Sequence, residues 1–225
     1  MRPSQTNIQQ EEGPAGAGHA LRAVRGVSVA VALLVAALSG CGSVKPVRYY
    51  QLTHPPTTGV AGAKGPIDVT LLVRLFQSSH VYREDRIVYG GETVQLGLYE
   101  NDRWTEPPVE LLQDALARGL RSSGGFRAVT TLRSNASIDF YLTGQLYAFR
   151  EVSTGNGMAA RLNYDVELMD LKKSKAIWRH TYNHDEAVGG KSVADVVTAL
   201  DKNVQQSVQE VQDGIVQALS NYERK

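Results

Sequence analysis

The side chain best placed for chemistry in this sequence is Cys41, the only cysteine among 225 residues. Its sulfur follows Leu38-Ser39-Gly40, whose two small residues leave room for an enzyme to approach the thiol. A chain with one cysteine forms no internal disulfide, so this sulfur is available for alkylation. We therefore predict that Cys41 is a point of covalent attachment.

An apolar run leads to this cysteine. Residues 26–40 carry no charge, and Arg22 and Arg25 precede them. A basic stretch followed by a short apolar run is typical of a secretory signal. The run has 15 residues, whereas a transmembrane helix needs about 20. A cleaved signal is therefore favoured over a retained transmembrane helix.

The four residues Leu38, Ser39, Gly40 and Cys41 resemble the bacterial lipobox. That resemblance implies cleavage before Cys41 and a diacylglycerol on its sulfur. We predict that residues 1–40 are a lipoprotein signal peptide that is removed, that residues 41–48 are a lipidated tether, and that residues 49–225 form a single domain. Two or three acyl chains would make the membrane anchor effectively permanent.

The tether also indicates where the domain sits. The seven residues from Gly42 to Arg48 reach at most about 23 Å, so the domain stays close to its membrane. Gly42 stands where an Asp would signal retention at the inner membrane. We therefore expect a lipid anchor in the outer membrane with the domain facing the periplasm, and the inner membrane is the disfavoured alternative.

Charge and composition exclude some classes of partner. Residues 1–40 hold three arginines and two glutamates, so the net charge of +1 for the whole chain becomes zero for residues 41–225. A neutral chain lacks the basic footprint of a nucleic-acid-binding protein. A hydrophobic content of 42% with 21% charged residues is typical of a globular domain.

Candidate catalytic and metal-binding residues are few. His180 and His184 invite a metal site, but residues four apart on a strand are about 13 Å from each other, too far to share one ion. The sequence contains no Gly-x-Ser-x-Gly elbow, Walker loop or His-Glu-x-x-His motif. We therefore predict no catalytic residues, no metal, no cofactor and no enzymatic activity.

Alternating apolar and polar residues predict most of the strands. They fall at residues 49–52, 67–76, 86–89, 94–102, 126–132, 138–150, 160–168 and 177–183. Short turns join the last three, which predicts an antiparallel meander.

Two helices complete the predicted fold. Pro107-Pro108 begins the first, and Ser122-Ser123-Gly124-Gly125 ends it. Ser192 caps the second in a capping box with Asp195, and its apolar stripe continues for about 29 residues, or about 43 Å. The prediction is an α+β fold, a mostly antiparallel sheet with two helices packed on one face.

The end of the second helix and one tryptophan are candidate partner contacts. A typical strand of about 17–20 Å is shorter than this helix, so its distal half could extend past the sheet and meet a partner. Trp104 either staples the first helix onto the sheet, the favoured role, or anchors an interface. The candidate contacts are Trp104, Val208, Val211, Ile215 and Leu219.

Several of these motifs together resemble one protein family. Tyr50-Gln51-Leu52 follows the lipobox, residues 82–89 read Tyr-Arg-Glu-Asp-Arg-Ile-Val-Tyr, and residues 99–107 read Tyr-Glu-Asn-Asp-Arg-Trp-Thr-Glu-Pro before the first helix. In this order they resemble the ABC-type transport auxiliary lipoproteins, the PqiC-like lipoproteins that accompany MCE proteins.

The resemblance implies a function that the residues alone do not. It implies a periplasmic accessory lipoprotein that docks an MCE-domain protein and ABC transporter components in lipid transport. The alternative is an envelope assembly or scaffolding lipoprotein with no role in lipid transport. Both hypotheses are compatible with a homo-oligomer, and neither involves nucleic acid.

Overall fold

A computed structural model of the protein describes residues 45–53, 66–91, 94–131, 137–155 and 157–222. Pro46 begins a compact unit that contains every strand and helix of the described residues. The lipobox and residues 41–44, the first half of the tether with Cys41, lie outside the described residues. The strands are β1 (Arg48–Tyr50), β2 (Ile67–Val73), β3 (Gln77–Ser78), β4 (Arg86–Tyr89), β5 (Gly97–Trp104), β6 (Phe126–Thr130), β7 (Phe140–Thr154), β8 (Gly157–Asp170) and β9 (Lys175–Ala187).

The helices are α1 (Pro108–Ser122) and α2 (Val193–Tyr222), and a short 3-10 helix spans His80–Arg83. Among the described residues, neither helix is long and apolar enough to cross a bilayer. The predicted α+β class and the two helices are confirmed.

Strand β7 is the centre of the sheet. One of its edges pairs antiparallel with β8 along nearly its whole length, and β8 pairs antiparallel with β9. Its other edge pairs in succession with β2, β3 and β4, all of them parallel to it. Strand β6 extends the sheet beyond β2, and strands β5 and β1 extend it beyond β4.

The sheet is therefore mixed. The antiparallel meander predicted for the last three strands is confirmed as β7, β8 and β9. Parallel pairs join the earlier strands, namely β1 to β5, β2 to β6, and β2, β3 and β4 to β7. A tight turn fixes the direction of strands adjacent in sequence, but longer connections leave the direction open, so the sequence did not reveal these pairs.

Strand β5 differs from its predicted position. The alternation of Val94, Leu96 and Leu98 predicted a strand that begins at residue 94, whereas β5 begins at Gly97 and continues to Trp104. Val94 is fully exposed and precedes the strand. The apolar residues before Gly97 therefore belong to the connection between β4 and β5.

Helix α1 begins and ends as its sequence predicts. Pro108 occupies its first turn, where a missing N–H removes no helical hydrogen bond. The helix stops before Gly124, whose φ of +63° suits glycine. Its apolar stripe is buried in the core.

Helix α2 begins with the predicted capping box. The backbone N–H of Asp195 donates to Ser192 Oγ at 3.2 Å, and the backbone N–H of Ser192 donates to Asp195 Oδ2 at 2.9 Å. This reciprocal pair satisfies two N–H groups at the helix start. The helix has 30 residues, close to the predicted length.

The prediction that the distal half of α2 extends past the sheet is wrong. Strands β7, β8 and β9 have 15, 14 and 13 residues, or about 45 Å at about 3.3 Å per residue. The helix is also about 45 Å long at about 1.5 Å per residue. At its end, Tyr222 donates to Asp170 Oδ2 at 2.9 Å and packs edge-on against Phe140. The long strands therefore support the helix throughout.

Candidate docking surface

The structure buries the side chains predicted to contact a partner. Trp104 is 1% exposed at the end of β5, and its ring packs edge-on against Phe149 with centroids 5.4 Å apart. The α2 residues of the prediction are also buried in the core, namely Val208, Val211, Ile215 and Leu219. Because they are buried, these five residues form no exposed surface for a partner, and the interface role considered for them is wrong; for Trp104 the favoured role was packing inside the domain. An apolar stripe faces the sheet because burial stabilises it there.

A neighbouring row on the distal half of α2 does form a surface. Together with the start of β9 it borders a groove of about 280 Å³. The lining residues combine aromatic and aliphatic surface with amide groups, namely Ile177, Trp178, Gly214, Gln217, Ala218, Asn221 and Tyr222. Side chains of this kind suit recognition of a peptide segment, with an aromatic anchor and nearby hydrogen-bonding groups.

Gly214 makes this groove possible. A Cβ atom at this position would lie 2.7 Å from Cε2 and 2.9 Å from Nε1 of Trp178, and it would also collide with Cζ2. The absence of a side chain lets the indole lie against the helix backbone. The glycine therefore fixes where the floor of the groove lies.

The groove adjoins an open edge of the sheet. Strand β9 pairs with β8 on one side, and among the described residues no strand pairs with its other side. Such an edge presents unpaired backbone N–H and C=O groups, which an extended peptide can bind as an added strand. Trp178 belongs to both features, because it lies on β9 and lines the groove.

A buried polar junction holds α2 against the same strand. Asn203 is fully buried, and its Nδ2 donates to the carbonyl oxygens of Ala160 and His184 at 2.9 and 3.0 Å. Its Oδ1 accepts a hydrogen bond of 2.7 Å from the hydroxyl of Tyr182. One amide thus joins the helix to both β8 and β9.

Electrostatics keep the hydroxyl of this junction protonated. Burial, followed by the nearby carboxylates of Glu210 and Glu186, raises the pKa of Tyr182 above its ordinary value. Lys202 donates to Glu186 Oε1 at 2.5 Å, and this hydrogen bond lowers the pKa of Glu186 despite the opposing effect of burial. Tyr182 therefore remains a donor to Asn203 at neutral pH.

The two histidines of β9 lie beside separate carboxylates. Nε2 of His180 is 3.4 Å from Glu210 Oε2, and Nε2 of His184 is 3.4 Å from Glu186 Oε2. The ring of His180 also stacks on Trp178. Within the described part of the chain, no group of three or more His, Cys, Asp or Glu side chains could hold a metal ion.

The last residue of the tether, Arg48, and the strand that begins with it are held firmly at the opposite edge of the sheet. Nε and Nη2 of Arg48 donate to the two carboxylate oxygens of Asp102 at 2.8 and 3.0 Å. The hydroxyl of Tyr50 donates to Asp102 Oδ1 at 3.0 Å. A bidentate pair with a buried carboxylate fixes β1 against β5 more firmly than an exposed ion pair would.

Sequence analysis missed Trp178 and Gly214. Gly214 did offer one signal in the sequence. A glycine inside a long helical pattern destabilises the helix, so its presence often has a packing reason. The groove itself was not detectable, since it forms between residues far apart in the sequence.

Comparisons with known proteins agree with this fold. Protein XCC0632 from Xanthomonas campestris has a TM-score of 0.70 at 18% identity, over 79% of this chain and 100% of that chain. A second solved structure, of an uncharacterized protein, has a TM-score of 0.61 at 16% identity, over 76% and 99%. At these identities the likeness establishes the fold alone. The comparison with curated proteins finds no match.

The sequence itself matches a family model, described as the ABC-type transport auxiliary lipoprotein component, over residues 50–212. The match extends from the end of β1 into the second half of α2, so it includes nearly all of the sheet, all of α1 and the first two thirds of α2. The chain therefore belongs to the ABC-type transport auxiliary lipoprotein family.

Proposed function

We propose that this protein is a membrane-anchored periplasmic accessory lipoprotein of an MCE/ABC-type lipid transport system, and that it acts by docking a partner protein without catalysis. The observation that carries the proposal is the family match over residues 50–212. The family name associates the chain with ABC-type transport. The MCE-domain partner and the lipid cargo come from the resemblance of the sequence motifs to PqiC-like lipoproteins.

The anchor in this proposal is a diacylglycerol on Cys41. A lone cysteine after Leu38-Ser39-Gly40, at the end of an uncharged run, supports it. Gly42 in place of Asp supports the outer membrane as the location. The protein would then face the periplasm on a tether of seven residues.

The docking site in this proposal is the groove between α2 and β9, and its occupant is an extended segment of the MCE-domain partner. The open edge of β9 supports an extended occupant, because only a strand can satisfy a row of backbone groups. The indole of Trp178 would contact one side chain of that segment. Gln217 and Asn221, at the rim of the groove, would form hydrogen bonds with its polar groups. These side chains suit binding better than chemical catalysis.

Site-specific photocross-linking in cells tests this function. A benzophenone amino acid replaces Gln217, which is exposed at the groove, and in a control strain it replaces Glu110, which is exposed on α1. We expect cross-links from position 217 to an MCE-domain protein, identified by mass spectrometry, and none to it from position 110. Trp178→Ala should reduce the yield, whereas Tyr147→Ala, at an exposed aromatic of β7, should not.

The outcomes separate the function from the site. Capture of envelope assembly or cell-wall proteins in place of an MCE-domain protein would favour the scaffolding alternative. Capture of an MCE-domain protein equally from both positions would support the proposed function but reject the groove as the docking site.

A further inference from the structure

The pairing of β1 sets the direction in which the tether leaves the domain. Strand β1 runs parallel to β5, with Arg48 opposite Asp102 and Tyr50 opposite Trp104. The chain before Arg48 is therefore directed toward the amino end of β5, at Gly97. The bidentate bond between Arg48 and Asp102 holds the last tether residue in this orientation.

Strand register identifies what else lies at that end. Tyr89 pairs with Gly97 on β5 and with Glu151 on β7, and the backbone N–H of Gly90 donates to the Glu151 carbonyl at 3.1 Å. The connection between β4 and β5 and the hairpin between β7 and β8 therefore share this end. We call residues 89–91, 94–97 and 153–155 the tether end of the sheet.

The tether end exposes apolar side chains. Val94 is fully exposed, Leu96 is 39% exposed and Tyr89 is 41% exposed. Tyr89 is held in place because its ring lies directly over Gly97, which has no side chain, and contacts the ring of Tyr99 with centroids 4.8 Å apart. Two aliphatic side chains beside a tyrosine are suited to a membrane interface, where the aromatic ring lies at the level of the headgroups.

The reach of the tether matches this position. From Asp102 to Gly97 is five residues along β5, or about 17 Å. The seven residues from Gly42 to Arg48 reach about 23 Å. A tether of this length is therefore long enough to reach the level of Gly97, and at full extension it would pass that level by only about 6 Å.

We propose that Tyr89, Val94 and Leu96 rest on the lipid surface of the leaflet that holds the anchor. This inference depends on the lipidation of Cys41 in the proposed function and adds a second, non-covalent membrane contact that orients the domain. The occupant of the apolar surface is the bilayer and not a second protein, because the tether brings this end to the bilayer and limits the space between them.

The orientation has a consequence for docking. Helix α2 begins near the tether end, since Ala187 pairs with Ala159 and the backbone N–H of Val188 donates to the Met158 carbonyl. Gly214 lies 21 residues after Val193, or about 32 Å along the helix. The contact would thus hold the groove away from the membrane and toward the periplasm.

Single-site fluorescence tests the contact. The mature lipoprotein is purified in detergent and reconstituted into vesicles of phosphatidylethanolamine and phosphatidylglycerol that contain a doxyl-labelled phospholipid quencher. Leu96→Cys and Leu171→Cys are each labelled with an environment-sensitive fluorophore. Leu171 is a matched control, because it is 46% exposed and lies in the turn after β8, at the opposite end of the sheet.

We expect the label at position 96 to be quenched by the lipid at least about twofold more than the label at 171, since interfacial side chains enter the headgroup region. Equal quenching at both positions in protein that floats with the vesicles would overturn this inference and leave the anchor intact. A different result would overturn the anchor and this inference together. In that case the Cys41 thiol of the wild-type protein reacts with a maleimide, and the protein does not float with the vesicles.

Discussion

At the residue scale, Asn203 is a fully buried polar side chain that links α2 to two strands. Its side-chain amide bonds two strand carbonyls and one tyrosine hydroxyl at once. Asn203, Ala160 and Tyr182 are buried, so loss of the amide leaves buried groups without this partner, and the Tyr182 hydroxyl keeps only its bond of 3.2 Å to the Asn203 backbone carbonyl. An unsatisfied buried group costs more than a hydrogen bond contributes.

We predict that Asn203→Leu destabilises the protein by about 2–3 kcal/mol, because the carbonyls of Ala160 and His184 and the hydroxyl of Tyr182 lose this amide. Urea unfolding of the purified protein measures the change. Gln206→Leu, on the exposed face of the same helix, is the matched control and should alter the free energy of unfolding by less than about 0.5 kcal/mol. Similar effects of the two substitutions would contradict the role of the junction.

At the scale of the elements, β7 tolerates little change because it has strands on both edges. Gly144 pairs with Val166 on β8, and a Cβ atom there would collide with the carbonyl oxygen of Asp165. The same atom would lie 2.8 Å from Cε2 of Phe76. Glycine at this position allows β8 and the core to approach β7 closely.

Gly144→Ala is therefore expected to lower the free energy of unfolding by about 1–3 kcal/mol, the usual cost of overpacking. Gly155→Ala is its control, because a Cβ at the tip of the β7–β8 hairpin meets no atom within 4 Å. Thermal unfolding followed by circular dichroism distinguishes the two. A melting temperature of Gly144→Ala equal to that of the wild type would contradict this prediction. It would mean that β7 and β8 make room for the added Cβ atom at little cost.

At the scale of the whole molecule, the proposed anchor and the described fold belong to different stretches of the chain. The family match and all described secondary structure lie in residues 46–225, while the proposed lipid is attached at Cys41. The two halves of the proposed function, attachment and docking, can therefore be tested independently.

We predict that Cys41→Ala, exported behind a cleavable non-lipoprotein signal peptide in place of residues 1–40, is found in the soluble fraction after cell lysis, with no change in its circular dichroism spectrum. The reason is that each acyl methylene in the bilayer contributes about 0.8 kcal/mol, so the acyl chains together bind the membrane more strongly than the three exposed side chains of the tether end. Ser43→Ala, in the tether, should remain in the pellet. Recovery of Cys41→Ala with the membranes would contradict attachment through this sulfur.

Much of this molecule follows from sequence patterns that are local. Proline at the start of α1, glycine after its end and the Ser192–Asp195 box define helix termini by bonds between residues a few positions apart. Alternating apolar residues and short turns predicted β7, β8 and β9 and their antiparallel order for the same reason. The lipobox is likewise readable in four consecutive residues, and the lipidation that it predicts stays a prediction.

Tertiary structure alone decided the rest, because those features join residues that are distant in sequence. The parallel pairing of β1 with β5 depends on Arg48 and Asp102, which are 54 positions apart. Unusually long strands, and not the helix itself, determine that α2 is supported to its end. The stripe on α2 favoured a core role and left an interface at its far end as the alternative, and only its packing against the sheet showed that the whole stripe is buried and that the groove beside Trp178 is exposed.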